Sequence, residues 1–166
     1  PFHFCKPCLR ELPWNGQATC KNCGRYLGGG HHFGTLCKFC TLSYRFFDYG
    51  ISALRFLPPA NELLLKMKYG ESPNPLPARG LSKLLLHAWK KNSHEKMFPD
   101  YITWDPLHFL RLKERGFNQS KELAVHLSRK LHIPCGPVLT KTDHGEHQAS
   151  LSPDQRPLNV LNSFGG

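Results

Sequence analysis

Six of the seven cysteines fall into three C-x-x-C pairs, Cys5/Cys8, Cys20/Cys23 and Cys37/Cys40, all within the first forty residues. A two-residue gap lets both thiolates of a tight turn face one metal ion, and a tetrahedral ion needs two such turns. Cys20/Cys23 and Cys37/Cys40 are separated by thirteen residues, a workable ribbon spacing. Gly24 directly follows the middle pair, where the backbone often needs a positive φ. These four cysteines are therefore expected to hold one structural zinc ion, because four thiolates leave no open position for water or substrate. Spacing alone also fits iron–sulfur ligation. Disulfides suit a secreted mini-protein, whereas the long downstream region reads as intracellular. A thioredoxin-like role needs one C-x-x-C inside a βαβ pattern, not three in a Gly/Pro-rich stretch.

Cys5 and Cys8 are further metal-ligand candidates that lack two partners. The preferred reading places a further pair upstream of Pro1, consistent with the chain not opening on methionine. The alternative is that they compete for Cys20/Cys23 and leave the last pair idle. Cys135 reads as a small buried filler. His31 and His32 read as a solvated loop.

The chain has 166 residues, 40% of them apolar and 20% charged, and carries a net charge of +10. That length suits one ordinary domain plus a small module. No apolar run approaches the roughly 18–20 residues of a membrane span. Basic residues outnumber acidic ones in the first fifty residues, the next fifty and the remainder. Such a chain attracts polyanions, among them nucleic acid and phosphorylated small molecules.

Residues 1–45 are expected to form a metal-stapled module without enough core of its own. Residues 46–166 read as strands alternating with helices. The segment FFDYGISALRF alternates like a strand, Pro58-Pro59 opens a helix that Gly70 stops, and GLSKLLLHAWKK is a strong amphipathic helix. YITW and VLT are strand candidates flanking the helix FNQSKELAVHLSRKLHI, whose buried stripe is Leu123, Ala124, Leu127 and Leu131. The stretch from His144 to Phe164 reads as a loop with one short helix. Alternation of this kind predicts an α/β fold with a mostly parallel sheet.

The densest chemical cluster runs from His108 to Lys121. His108, Arg111, Lys113, Arg115 and Lys121 supply charge or potential charge, and Phe117, Asn118 and Gln119 add a ring and two amides. Arginine binds phosphate bidentately, phenylalanine can stack on a base, and amides read base edges or sugar hydroxyls. Asn118 or Gln119 can equally cap the following helix, and Phe117 can be a core anchor. No nucleophile–base constellation such as G-x-S-x-G or H-E-x-x-H is present.

At this point the order of residues becomes recognisable. P-L-H at 106–108, R-L-K-E-R-G-F-N-Q at 111–119 and Gln148, then Arg156-Pro157-Leu158-Asn159-Val160 and Phe164, resemble the competence protein F (ComF) family. CKPCLRELPW, CKNCG, CKFC and K-Y-G at 68–70 agree with it. Lys113 stands where that family usually has arginine, and Thr103-Trp104-Asp105 departs from its small apolar pattern.

The resemblance implies zinc-ribbon knuckles joined to a type I phosphoribosyltransferase-like domain, and an accessory role in bacterial natural transformation. It implies a cytoplasmic protein acting on single-stranded DNA, alongside other DNA-uptake proteins at the inner membrane. It adds Gln148 and Arg156 to the binding candidates. The enzymatic alternative is a transferase using phosphoribosyl pyrophosphate with Mg2+. The family's phosphate-cradling loop is expected after Phe164, so this chain reads as lacking its C-terminal part.

Overall fold

The computed structural model describes residues 4–16, 18–30, 34–42, 46–69, 74–92, 99–143, 150–152, 155, 159 and 163–165. Six helices run α1 (Lys6–Glu11), α2 (Lys38–Leu42), α3 (Ala60–Tyr69), α4 (Pro77–Asn92), α5 (Phe109–Arg115) and α6 (Gln119–Leu131). Two short strands follow, β1 (Thr140–Lys141) and β2 (Phe164–Gly165). The chain divides into two compact units, Pro1–Leu65 with Lys83–Met97, and Lys66–Ser82 with Phe98–Gly166.

The first unit is organised around the cysteines. Residues 18–27 fold back on themselves: Leu27 donates its N–H to the Ala18 carbonyl at 2.9 Å, and Thr19 bridges Tyr26 in antiparallel fashion. A second strip joins Trp14 to Leu54, flanked by the Asn15 N–H to Ala53 carbonyl and Arg55 N–H to Pro13 carbonyl bonds. The Trp14 indole donates to the Leu9 carbonyl at 2.9 Å and meets the His87 ring edge-on at 5.8 Å. Leu12, Ala60, Leu84 and Ala88 are buried here. Cys20, Cys37 and Cys40 are buried in the same unit.

The second unit carries α5 and α6. Asn118 caps α6: its side-chain oxygen accepts from the N–H groups of Ser120 and Lys121 at 2.9 and 3.3 Å. Orphan N–H groups of the first turn are thereby satisfied. At the far end His132 adopts a left-handed conformation and its N–H closes on the Ser128 carbonyl. Of the expected stripe in α6 only Ala124 is buried; Leu123, Leu127 and Leu131 are half-buried, as are Val125 and His126. Met67, Ala78, Leu81 and Ser82 are buried in the same unit.

The expected mostly parallel sheet is not what the described residues form. They contain one two-stranded antiparallel sheet, with Thr140 opposite Gly165 and Lys141 opposite Phe164. The single parallel pairing is an isolated bridge between Ile102 of the YITW segment and Cys135. FFDYGISALRF contributes one bridge, at Leu54, and no strand. The reason is local: at Gly50 the segment is drawn onto the cysteine loop, where its N–H reaches the Asn22 carbonyl at 2.6 Å. Alternation therefore marks an extended segment here without a neighbour along its whole length. The fold is mixed and helix-rich. Gly70, and His144 to Ala149 of the expected loop, lie outside the described residues.

Candidate functional site

Two constellations carry chemistry, one in each unit. In the first, the Sγ atoms of Cys20, Cys23, Cys37 and Cys40 all lie within 4.8 Å of one another. Zinc–sulfur bonds of about 2.3 Å in a tetrahedron require sulfur pairs about 3.8 Å apart. The Cys23 and Cys37 sulfurs are 3.7 Å apart, so the cage has the right size. Cys20, Cys37 and Cys40 are buried, and Leu27 packs against them.

Local backbone explains how the cage is held. The Gly24 N–H bonds back to the Cys20 carbonyl at 3.0 Å and the Cys20 N–H to the Arg25 carbonyl at 2.8 Å, closing the first knuckle. The Cys37 N–H points at the Cys20 sulfur at 3.3 Å, linking the second knuckle to the first. Helix α2 then begins directly after Cys37 and brings Cys40 round on its first turn.

The thiols pull in opposite directions. Burial opposes ionisation of Cys20, but N–H groups of Cys23, Cys37 and Asn22 outweigh it and lower the thiol to about 6. Burial, followed by the Cys40, Cys20 and Cys37 thiols, pushes Cys23 up to about 12 against the Arg25 N–H. A divalent cation bound by the four sulfurs would resolve this opposition, because its charge favours thiolate at every ligand. The donor set and the spacing thus fit a metal ion.

Cys5 and Cys8 lie outside this cage. Both are exposed, and their sulfurs are 3.2 Å apart, with the Cys8 N–H directed at the Cys5 sulfur, which caps α1. That N–H, with the Cys8 thiol, holds the Cys5 thiol below its ordinary value.

In the second unit, helices α5 and α6 meet at a tight turn. Gly116 takes a left-handed φ of 79° and its N–H reaches the Leu112 carbonyl at 2.8 Å, which stops α5 and lets α6 start three residues later. His108 is buried as the cap of α5, its Nδ1 accepting from the Leu110 N–H at 3.4 Å. Arg111 is buried as well. Asn118, buried, donates its amide to the Asp105 carbonyl at 2.9 Å in addition to capping α6. These three side chains therefore build the turn from inside.

Arg115, Gln119, Lys113 and Lys121 face outward or lie half-exposed on the same turn. The Arg115 guanidinium donates to Gln119 Oε1 at 2.6 Å and sits 5.2 Å from the centre of the Tyr69 ring. The Lys121 ammonium lies 5.8 Å from the centre of the Trp104 ring. Phe117 is half-buried and lines an open pocket of about 550 Å³ with Trp104, Phe109, Lys121 and Lys141 among its walls.

Of the residues singled out in the sequence, His108, Arg111 and Asn118 are buried, whereas Lys113, Arg115, Phe117, Gln119 and Lys121 are half-buried or exposed on the same turn. Sequence reasoning missed Tyr69, Trp104 and Lys141. Trp104 could have been found: an aromatic residue standing in place of a small apolar one, a short step before the basic turn. Gln148 and Arg156 lie outside the described residues.

The first unit thus carries four converging cysteines that could hold a metal ion, and the second a basic, aromatic-lined turn between two helices. Competence protein F of Haemophilus influenzae is 26% identical over 164 residues, covering 97% of this chain and 69% of its own length. DNA utilization protein YhgH of Escherichia coli K12 is 29% identical over 166 residues, covering 97% and 70%, and so is its namesake from Shigella flexneri. These relatives support the resemblance to the competence protein F family. No family model and no solved structure matches the chain.

Proposed function

We propose that this chain is an accessory protein of DNA uptake in natural transformation, which binds single-stranded DNA on the turn between α5 and α6. The names of the relatives, competence protein F and DNA utilization protein, support the setting. The observation that carries the binding reading is Arg115: a guanidinium already oriented by Gln119 and Tyr69 loses less freedom when it grips a phosphate. Lys113 and Lys121 flank it along the turn. Phe117 and Trp104 offer rings at the pocket wall on which a base can stack.

The four-cysteine cage takes structural zinc in this reading and keeps the first unit folded. The protein would act in the cytoplasm on strands arriving through the inner membrane.

Fluorescence anisotropy with a labelled single-stranded oligonucleotide tests the proposal. Binding should be firm at low salt, and Arg115→Ala should weaken it about equally for every sequence, since phosphate contacts position without reading bases. Competition by phosphoribosyl pyrophosphate at the same turn would instead favour the transferase reading.

A further inference from the structure

The first unit displays a second set of aromatic rings and guanidinium groups that no metal-holding role requires. Arg25 places its guanidinium 4.5 Å from the centre of the Phe39 ring, and Arg55 lies 4.9 Å from the Tyr26 ring. Both rings are exposed, Tyr26 by 39% and Phe39 by 43%. A ring left in water forgoes the stabilisation that burial would give it. Here the two rings stand outside, each with a cation on its face.

Their mounting is rigid. Arg25 and Tyr26 are consecutive, and the Arg25 carbonyl accepts from the Cys20 N–H while Tyr26 bridges Thr19. Phe39 stands between the ligand candidates Cys37 and Cys40 in α2. Both rings and Arg25 are thus carried by the loops that hold the cysteine cage, while Arg55 reaches the Tyr26 ring from the strip paired with Pro13. Lys21 and Lys38, each next to a cage cysteine in sequence, are exposed too. Over positions 1–50 six lysines and arginines face two acids, so the occupant that complements this surface is an anion.

We infer that the cysteine module itself contacts single-stranded nucleic acid, stacking bases on Tyr26 and Phe39 while Arg25, Arg55, Lys21 and Lys38 meet the phosphates. Flat aromatic faces paired with cations suit successive bases on a charged backbone and need no sequence preference. An acidic peptide would use the cations and leave the rings idle. This surface belongs to the first unit and the α5–α6 turn to the second, so a strand has a candidate contact in each.

The test is photocross-linking of the metal-loaded full chain to an oligothymidylate carrying 5-iodouracil, with adducts mapped by peptide mass spectrometry. Adducts at Tyr26 or Phe39 are expected, including in a chain carrying Arg115→Ala and Lys121→Ala. That arm separates this surface from the proposed α5–α6 site, whose failure would leave the adducts in place. Tyr26→Leu and Phe39→Leu should each lower affinity about fivefold or more with metal content unchanged. Should Phe39→Leu lose its metal, Arg25→Ala and Arg55→Ala serve instead, each flattening the salt dependence by about 0.7 in slope. No adduct at either ring, or unchanged affinity in metal-loaded variants, overturns the inference, and adducts confined to residues 104–121 do the same.

Discussion

Gly24 and Gly50 show how much a single side chain can decide here. Gly24 has a φ of 67°, and a Cβ on it would lie 2.5 Å from the Gly50 carbonyl oxygen; one on Gly50 would lie 2.9 Å from the Cys23 carbonyl oxygen. Gly116, at φ 79°, has open space where its Cβ would go. Gly116→Ala should therefore cost only the left-handed strain, about 1–2 kcal/mol. Gly24→Ala adds a backbone clash beside a ligand cysteine and should cost more, with loss of metal. Denaturant titration with zinc quantification on the two variants checks this order. Asn118→Ala should cost about 1–2 kcal/mol, because a buried cap also releases the Asp105 carbonyl. Residue identity made some of this legible: a glycine after C-x-x-C and an asparagine before a helix both carry their conformations with them. That Gly50 would be the partner of Gly24 was not legible, since the contact joins segments twenty-six positions apart.

At the scale of elements, the longer helices α3, α4 and α6 were readable, the short helices α1, α2 and α5 were not, and of the strand candidates only VLT meets a strand, at Thr140. Helix α6 could be read from its leucine spacing and its cap, both local properties. A strand depends on a neighbour elsewhere in the chain, so alternation at 46–56 and at YITW ended as single bridges. The cysteine cage was legible from spacing, because two C-x-x-C turns bring four sulfurs together, all within 4.8 Å of one another. Chelation should unfold the loops around Cys20 to Cys40, since metal binding supplies their folding free energy. Cys20→Ser or Cys37→Ser should do likewise. Circular dichroism and tryptophan emission before and after chelator addition read this out. Acid should have the same effect. Cys20 is lowered to about 6, so the stability its thiolate provides is present above the ordinary thiol range and fades as pH falls through about 6. Metal retention measured across pH should drop on the acid side, as protons compete with the ion for the sulfurs; retention that does not fall with acid would contradict it.

For the molecule as a whole, the net charge of +10 is spread over both units and sets the sign of what they attract. No helix of the described residues is long and apolar enough to cross a membrane. Composition could announce a polyanion partner, whereas the pairing of Arg115 with Gln119 and Tyr69, and of Lys121 with Trp104, required the fold. In the proposed function these cations track a phosphate backbone. The most direct measurement of this is the salt dependence of binding to a single-stranded oligonucleotide, compared between the metal-loaded chain and its Lys113→Ala/Arg115→Ala/Lys121→Ala variant. Each neutralised phosphate contributes a log–log slope of roughly −0.7, so losing three contacts should make the slope shallower by about 2. A variant that keeps its metal, its melting temperature, its affinity and its slope would show that these cations do not meet the phosphates.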